Sequence, residues 1–277
     1  MAYWRGKHAL VTGGSAGLGL HLARELVTAG AAVALVGRSQ TRLDEAADQL
    51  RGIGGQVQAF SADVAQPGQT AWAVEQAVAE FGTLNLAAAC AGRSMRGALV
   101  DTPRRAFEEL LAVNFLAAVD LAHAAGPHLE AAATTTAPPA GGHLVLIGSL
   151  ASKTGAPHLG AYAASKHPLP ALAQQLRLER GGHGLHPLLV CPGPLRRDDA
   201  GARYDAQAAD LPDAARKPGA GARVKAIDPA DLSRQVLAAC ERRQSELVVP
   251  AKARLLFAIT QLRPSWGDWL LRKNTGG

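Results

Sequence analysis

The chain has 277 residues, of which 48% are hydrophobic and 19% charged, and this balance predicts a packed globular core and excludes the composition of a disordered protein. The formal net charge is +6, and aromatic residues make up only 4% of the chain. Because so few aromatic side chains leave little surface for stacking bases, nucleic acid is not an expected partner.

The positive charge is concentrated at the C-terminus. From residue 251 onward five basic residues accompany one acidic residue, so +4 of the net +6 lies in this tail. Cys90, Cys191 and Cys240 are far apart and form no CxxC pair, which argues against a zinc site and a disulfide framework. The first apolar strand begins too early to leave space for a cleaved signal, and no uninterrupted run of about 18 apolar residues occurs. We therefore expect a cytoplasmic protein.

Short apolar segments alternate with longer amphipathic ones over residues 1–250. This rhythm predicts a single-domain α/β Rossmann fold, a doubly wound seven-stranded parallel sheet with helices on both faces. The strands are predicted, in chain order, over His8–Thr12, Ala32–Gly37, Gln56–Phe60, Leu84–Ala89, His143–Gly148, Leu185–Cys191 and Leu247–Pro250. The helices are predicted over Leu18–Ala29, Thr41–Arg51, Gln69–Phe81, Pro103–Leu129, His158–Arg180 and Pro229–Arg242.

Two segments interrupt this alternation. Residues 131–142 have low complexity and are predicted to form a solvated loop without chemistry. Residues 196–227 are rich in Ala, Gly and Pro and follow the carboxyl end of a strand, where open α/β sheets bind their ligands. This second segment is a candidate lid over a substrate.

A glycine-rich turn joins the first strand to the first helix. Its sequence after Thr12 is GGSAGLG, and the candidate cofactor-binding residues in it are Gly13, Ser15, Gly17, Leu18 and Gly19. Glycines let the backbone approach a pyrophosphate closely, and the amides of a helix start favour an anion. An ordinary strand-to-helix turn is the alternative. The position after the first strand, with a second strand ending about 20 residues later, favours a dinucleotide.

Arg38 follows the second strand, where NAD enzymes usually present an acidic residue to the ribose. A guanidinium there suits a 2′-phosphate and indicates NADP(H), the alternative being a solvated arginine at a helix entrance. Ser15 and Ser39 are candidates for additional hydroxyl contacts. Asp63 and Val64, after the third strand, are candidates for the adenine contact, although Asp63 is nearly as well suited to capping the next turn.

Tyr162 and Lys166 are four residues apart in a predicted helix and therefore project from the same face. An ammonium beside a phenol stabilises the phenolate and prepares it for proton transfer. The alternative is a pair of half-exposed helix residues. Ser149 closes the fifth strand thirteen residues earlier and could bond the oxygen that accepts the proton. Asn114 lies in an apolar helix segment and needs polar partners, which a purely structural role would also explain.

Together these motifs resemble a classical short-chain dehydrogenase/reductase over roughly residues 5–250. The resemblance implies a catalytic tetrad of Asn114, Ser149, Tyr162 and Lys166, with Lys166 also binding the nicotinamide ribose. Asn114 would hold a helix kink and a water that links Lys166 to solvent. The cofactor contacts that the family pattern adds fall on Ala91, Gly92, Pro192 and Gly193, and the resemblance also implies a homodimer or homotetramer.

The chain departs from the family pattern in three places. The motif Asn-Asn-Ala-Gly after the fourth strand reads Ala89-Cys90-Ala91-Gly92, which removes an amide that ties neighbouring strands. The threonine that commonly follows Pro-Gly is absent. Pro168 and Pro170 follow Lys166, and because proline disrupts a helix interior, we expect a kink beside the catalytic pair.

The motifs indicate an NADP(H)-dependent oxidoreductase that acts on a small ketone, aldehyde or secondary alcohol. The alternative function is a catalytically silent NADP-binding sensor or scaffold, against which the Ser149, Tyr162 and Lys166 set argues. No metal is expected: the nine histidines form no HExxH motif, and His183 and His186, with no nearby carboxylate, are interpreted as loop residues.

Residues 251–277 are predicted to form an amphipathic tail outside the common core. Leu255, Leu256, Ile259 and Leu262 share one helix face, and Trp266, Trp269 and Leu270 repeat helical spacing. One interpretation is a helix docked on its own subunit or a dimer partner. The other is peripheral membrane contact, because tryptophan and leucine beside Lys and Arg are typical of an interfacial helix.

Overall fold

The computed structural model describes residues 2–132, 141–197, 204, 207, 211–216 and 224–275. Seven parallel strands form one sheet in the order β3-β2-β1-β4-β5-β6-β7. Their bounds are β1 His8–Thr12, β2 Ala32–Gly37, β3 Val57–Ser61, β4 Leu86–Ala89, β5 His143–Ile147, β6 His186–Pro192 and β7 Glu246–Val249. The predicted doubly wound Rossmann sheet is confirmed, and its order reverses between β1 and β4.

Helices cover both faces of the sheet, as the parallel strands require. They are α1 Gly17–Thr28, α2 Gln40–Arg51, α3 Gln69–Phe81, α4 Arg104–Leu111, α5 Ala117–Ala131, α6 Tyr162–Lys166, α7 Pro168–Arg180, α8 Asp213–Arg216, α9 Pro229–Glu241, α10 Ala253–Leu262 and α11 Pro264–Thr275. One apolar core layer lies between the sheet and α3, α5 and α7, and another between the sheet and α1, α2 and α9.

Two of the predicted helices are divided in the structure, and the second of them in the chain also starts later than expected. The helix predicted from His158 begins only at Tyr162, because His158 and Gly160 adopt the positive φ angles +58° and +51°, which a right-handed helix cannot accommodate. The expected disruption beside the catalytic pair occurs at His167: α6 ends at Lys166 and α7 begins at Pro168. Pro168 has no backbone amide to continue the hydrogen bonds of α6. The first residue of a helix has no partner for its amide within the helix, so proline is tolerated at the start of α7.

The helix predicted over Pro103–Leu129 contains a π-helical turn. Residues Ala112–Leu116 form this turn between α4 and α5, and it carries Asn114 into the interior. The continuous stretch Arg104–Ala131 is long and apolar enough to cross a membrane by length and composition, although the sequence has no uninterrupted apolar run of that length. Leu121, Ala125 and Leu129 of this stretch are buried against the sheet, the position of a core helix.

Two segments discussed above are only partly described. Residues 133–140 of the predicted loop lie outside the described residues, as do most positions between 198 and 223 of the candidate lid. The two ends of the lid segment are described and meet: Leu195 and Ile227 form a parallel bridge, and Arg196 donates its amide to the Ile227 carbonyl at 2.7 Å. The candidate lid therefore begins and ends beside the carboxyl end of β6.

Candidate active site

Close backbone packing in the turn after β1 explains its glycines. Gly13 has a φ of +66°, and a Cβ there would lie 2.9 Å from the Ala91 backbone. A Cβ at Gly19 would lie 2.3 Å from the Gly13 carbonyl oxygen. Leu18 buries its side chain in the core, so only its backbone amide faces the turn. A larger residue at Gly13 or Gly19 would force the turn away from the sheet.

The start of α1 presents backbone donors to solvent. Ala16 precedes the helix and provides no side-chain cap, and Ala16 and Gly17 are exposed. The first amides of a helix have no partner within it, so they favour an anion. A Cβ built on Gly37 would lie 3.4 Å from the Ser15 hydroxyl oxygen, which brings Ser15 to the end of β2.

Arg38 lies next to this end of β2 and is exposed. Its carbonyl accepts a hydrogen bond of 3.2 Å from the Ser61 hydroxyl at the end of β3, which fixes the backbone. Among the described residues its guanidinium makes no ion pair. Ser39 caps α2 by accepting from the Arg42 amide at 3.4 Å. The side chain of Arg38 thus stands at the carboxyl edge beside the glycine turn.

Asp63 makes the local contact that was the alternative to adenine binding. Its carboxylate accepts from the Ala65 amide at 3.1 Å and so caps the turn after β3. Val64 is buried in the core. This capping orients the carboxylate of Asp63 but leaves its role toward a cofactor as a prediction.

A threonine joins β1 to the segment after β4, where the family pattern has an amide that this chain lacks. The Thr12 hydroxyl donates to the Ala88 carbonyl at 3.1 Å and accepts from the amides of Cys90 and Ala91 at 3.2 and 3.3 Å. Sequence reasoning missed this residue. Its hydroxyl supplies a connection between these strands beside Cys90.

Asn114 is buried and connects two parts of the site. Its amide oxygen accepts from the Arg93 amide at 2.9 Å, and its amide nitrogen donates to the Arg93 carbonyl and the Ser165 hydroxyl, both at 2.9 Å. A Cβ at Gly92 would lie 2.9 Å from the Asn114 oxygen. The structural role is therefore observed, and Ser165 is a partner that the sequence did not reveal.

Lys166 is buried at the end of β5. Its ammonium donates to the Ile147 carbonyl at 2.8 Å, two residues before Ser149. Burial lowers the pKa of Lys166 from 10.5 to about 8, so the group remains mostly protonated at pH 7. The Ile147 carbonyl uses one of the three ammonium donors, which leaves two for other groups.

Ser149 precedes the short helical turn Leu150–Ser152, and Tyr162 begins α6, which contacts that turn. The Ser149 hydroxyl oxygen accepts from the Ala151 amide at 3.1 Å, and the Ser149 amide donates to Ser152 at 3.0 Å, which caps the short turn Leu150–Ser152. Tyr162 packs against a small apolar cluster formed by Ala151, which follows Ser149 by two residues, and Leu159. The structure thus gathers Ser149, Tyr162 and Lys166 at the carboxyl end of β5.

A small cavity lies between the ends of β1, β4 and β5 and the helix segment around Asn114. Its volume is about 10 Å³, and Thr12, Asn114 and Ile147 are among its lining residues. A space of this size holds about one water molecule. Pro192 ends β6 at the same sheet edge, and the Gly193 amide donates to the Val249 carbonyl at 2.7 Å.

Arg96 is a buried residue that sequence reasoning did not single out. Its guanidinium donates to the Ala215 carbonyl at 2.8 Å and lies 3.9 Å from the centroid of the Tyr204 ring. Its backbone amide donates to the Gln207 side chain at 2.9 Å. Arg96 therefore holds the described parts of the lid segment against the loop after β4.

The buried histidines correct an earlier interpretation. His186 was interpreted as a loop histidine although it lies within the strand predicted over Leu185–Cys191, and the structure places it at the start of β6, buried against His143 on β5. Within the described ranges, no group of three or more His, Cys, Asp or Glu side chains is placed to hold a metal ion.

The fold and this cluster define an α/β protein with a nucleotide-type glycine turn and a Ser, Tyr and Lys set at one sheet edge. The model of the short chain dehydrogenase family matches residues 7–207. The chain belongs to the short-chain dehydrogenase/reductase family, as the sequence motifs predicted.

Curated relatives agree with this assignment. Dehydrogenase/reductase SDR family member 7B from Bos taurus is 33% identical over 198 residues, which are 69% of this chain and 59% of that protein. Ketoacyl reductase HetN from a Nostoc species is 31% identical over 188 residues, 68% of this chain and 63% of that protein. The chain thus spans about three fifths of the length of these relatives.

Solved structures share the fold. A short chain dehydrogenase from Burkholderia cenocepacia, in complex with NADP, has a TM-score of 0.73 and 28% identity, covering 88% of this chain and 96% of that chain. A short chain dehydrogenase/reductase from Burkholderia phymatum, in complex with NAD, has a TM-score of 0.78 at 21% identity, covering 95% and 97%. The second likeness, at this identity, concerns the fold alone.

Proposed function

We propose that the chain is an NADP(H)-dependent oxidoreductase that interconverts a ketone or aldehyde and an alcohol. The observation that carries this proposal is the buried Lys166, held by the Ile147 carbonyl at the strand end that also bears Ser149 and beside the helix start at Tyr162. Burying an ammonium is costly. A purely binding protein would have no need to maintain it one helical turn from a tyrosine.

The residues present fit a nicotinamide dinucleotide. The turn from Gly13 to Gly19 and the uncapped start of α1 suit a pyrophosphate, with Ser15 beside it. Arg38 and Ser39 suit a 2′-phosphate and ribose, and Asp63 and Val64 the adenine. The remaining proposed contacts are Ala91, Gly92, Pro192 and Gly193 around the nicotinamide half. The bound nicotinamide would supply or accept the hydride.

The three side chains at the end of β5 would have separate roles in substrate binding and proton transfer. The Ser149 oxygen already accepts from the Ala151 amide, so its own hydrogen is left to donate to a substrate oxygen. Tyr162 would give its phenolic proton to that oxygen in reduction and take it back in oxidation. Lys166 stabilises the phenolate that remains, because a buried cation interacts strongly with a neighbouring anion.

Asn114 would act as a positioning residue for proton supply. Its hydrogen bond to Ser165 holds the helix segment between Tyr162 and Lys166, and the cavity beside it has room for about one water. Lys166 is not among the residues that line this cavity, so the link from such a water to Lys166 and on to solvent is supported by the family resemblance alone.

The substrate class is a small carbonyl or alcohol compound. The names of relatives such as the Nostoc ketoacyl reductase support carbonyl reduction. An assay for NADPH oxidation with a panel of ketones and aldehydes tests the proposal. We expect substrate-dependent oxidation with at least one of them, whereas cofactor binding without turnover across the panel would favour a silent sensor or scaffold.

The proposed cofactor preference gives a direct test of Arg38. We expect tighter binding of NADPH than of NADH, and we expect Arg38→Asp to remove this preference. The new carboxylate repels a 2′-phosphate and can accept from ribose hydroxyls instead. Dissociation constants for both cofactors, measured by the fluorescence of the reduced nicotinamide, check the result.

The matched control for this change is Arg24→Asp. Arg24 is exposed on α1, so the substitution makes the same change in net charge away from the end of β2. The control should keep the preference for NADPH. Equal affinities of the unaltered protein for the two cofactors would remove Arg38 from the proposed phosphate site.

The family resemblance also supports a homodimer or homotetramer. Light scattering coupled to size-exclusion chromatography would measure the assembly state directly. A monomer at micromolar concentration would contradict this part of the proposal.

A further inference from the structure

The C-terminal tail is a helical hairpin fixed to the body of the protein by one side. Helices α10 and α11 pack together, and Gly267 allows their close approach, since a Cβ there would lie 2.5 Å from the Thr260 hydroxyl oxygen. Phe257 is buried in the core layer beside α7. The hairpin therefore has a defined inner face, anchored through α10.

The opposite side of the hairpin exposes large apolar side chains. The exposed fractions are 68% for Leu255, 81% for Leu262, 63% for Trp266 and 58% for Trp269. Both tryptophans also line an open apolar groove of about 540 Å³ together with Ile259 and Leu270. Exposed apolar clusters of this kind mark surfaces that contact a partner or a membrane.

Basic side chains lie directly beside the exposed tryptophans. The Arg263 guanidinium is 5.7 Å from the centroid of the Trp266 ring, and the Lys273 ammonium is 5.2 Å from that of Trp269. The tail carries five basic residues and one acidic residue, Asp268. This surface thus combines indole rings with positive charge, the combination that favours the interface of an anionic bilayer.

The positive charge of the tail favours an anionic bilayer over a second copy of the chain as the partner of this surface. A twofold interface would place the same patch against itself. Each tail, residues 251–277, carries +4, and the rest of the chain carries only +2, so a second copy offers no compensating negative charge in aggregate. An anionic lipid surface supplies that negative charge and accommodates the exposed leucine and tryptophan side chains.

We propose that the α10/α11 hairpin is a peripheral docking surface for anionic lipid membranes. The hairpin follows β7, and the Val249 carbonyl at the end of that strand accepts from Gly193 at the candidate active-site edge. Docking would thus bring this edge of the sheet close to the bilayer. The docking does not depend on turnover and is tested separately from it.

Flotation of the full-length chain with vesicles tests the proposal. We compare vesicles of phosphatidylcholine alone with vesicles that also contain phosphatidylserine. We expect binding to the mixed vesicles and at least tenfold weaker partitioning to the neutral ones. Raising the salt concentration should also weaken binding to the mixed vesicles, because screening reduces the attraction between exposed charges.

Two paired variants separate the apolar and charged contributions. Trp266→Ser with Trp269→Ser should weaken partitioning by roughly tenfold or more, since two large apolar side chains no longer insert. Arg263→Gln with Lys273→Gln should weaken it by about twenty-fivefold, given roughly fivefold for each basic residue near an anionic surface. The matched controls are Trp72→Ser, an exposed tryptophan on α3, and Arg104→Gln with Arg105→Gln on α4.

The controls should bind like the unaltered chain, and circular dichroism verifies that every variant is folded. Absence of binding to the mixed vesicles would overturn the proposal. So would equal losses in the tail variants and the controls. If the tryptophan pair instead dissociates an oligomer, measured by light scattering, while no vesicle binding occurs, the hairpin is an interface between copies of this chain.

Discussion

Replacing Tyr162 by phenylalanine should lower turnover by roughly 10² to 10⁴ while the protein stays folded, because that is the usual contribution of a positioned acid or base. The ring packs with Ala151 and Leu159, and phenylalanine preserves this apolar contact. Only the phenolic oxygen is lost. Affinity for the reduced cofactor should therefore change far less than turnover.

Three measurements check this result: the rate of NADPH oxidation with a saturating ketone, the affinity for NADPH, and the circular dichroism spectrum. Tyr3→Phe is the matched control, because it removes the same oxygen from a tyrosine whose hydroxyl bonds His143 near the start of β5. The control should keep its turnover. Near-normal turnover in the Tyr162 variant would exclude this residue as the acid.

The strands and the glycine turn were predicted well, because residue type and local apolar pattern are enough to specify them. Strands such as Ala32–Gly37 are continuous apolar runs between turns, and the glycine turn has a steric requirement that residue type alone expresses. Errors fell at boundaries. The seventh strand was predicted to include Pro250, but proline has no amide for the ladder, and the strand ends at Val249.

The connections within the candidate site were not predictable in the same way. Asn114 and Ser165 are 51 residues apart, and Thr12 and Cys90 are 78 apart, so only the folded chain brings them into contact. The π-helical turn around Asn114 also has no periodic signal, since one extra residue in a helix leaves the apolar pattern nearly unchanged. These contacts are set by tertiary packing.

A buried chain of hydrogen bonds near the start of β5 and β6 is another such feature. The Gln244 carbonyl can only accept, so the His186 Nε2–H donates to it at 2.9 Å, and in the neutral ring the His186 Nδ1 is an acceptor. The His143 Nδ1–H then donates to that atom at 2.8 Å. The Tyr3 hydroxyl completes the chain by donating to His143 Nε2 at 2.6 Å. With both imidazoles neutral, this arrangement gives a partner to each of the four ring nitrogens.

This neutral pair should make the protein lose stability in mild acid. Burial lowers the pKa of His186 from 6.5 to about 4 and holds the pKa of His143 well below its usual value. Below pH 6.5 the unfolded chain binds protons that the folded chain does not. The free energy of unfolding should therefore be fully retained above about pH 6.5 and fall by roughly 3 kcal/mol for His186 alone by pH 4.

Urea denaturation followed by circular dichroism between pH 4 and 7.5 measures this loss, and His186→Gln isolates its source. Glutamine can still donate to the Gln244 carbonyl and accept from His143, but it does not titrate. The variant should lose the ring contact with His143, be less stable near pH 7, and show a shallower fall in acid. His123→Gln, at an exposed position of α5, should keep the steep fall. Equal slopes in the unaltered protein and the His186 variant would show that His186 is not held neutral by the fold, because a group with the same pKa in both states contributes no pH dependence.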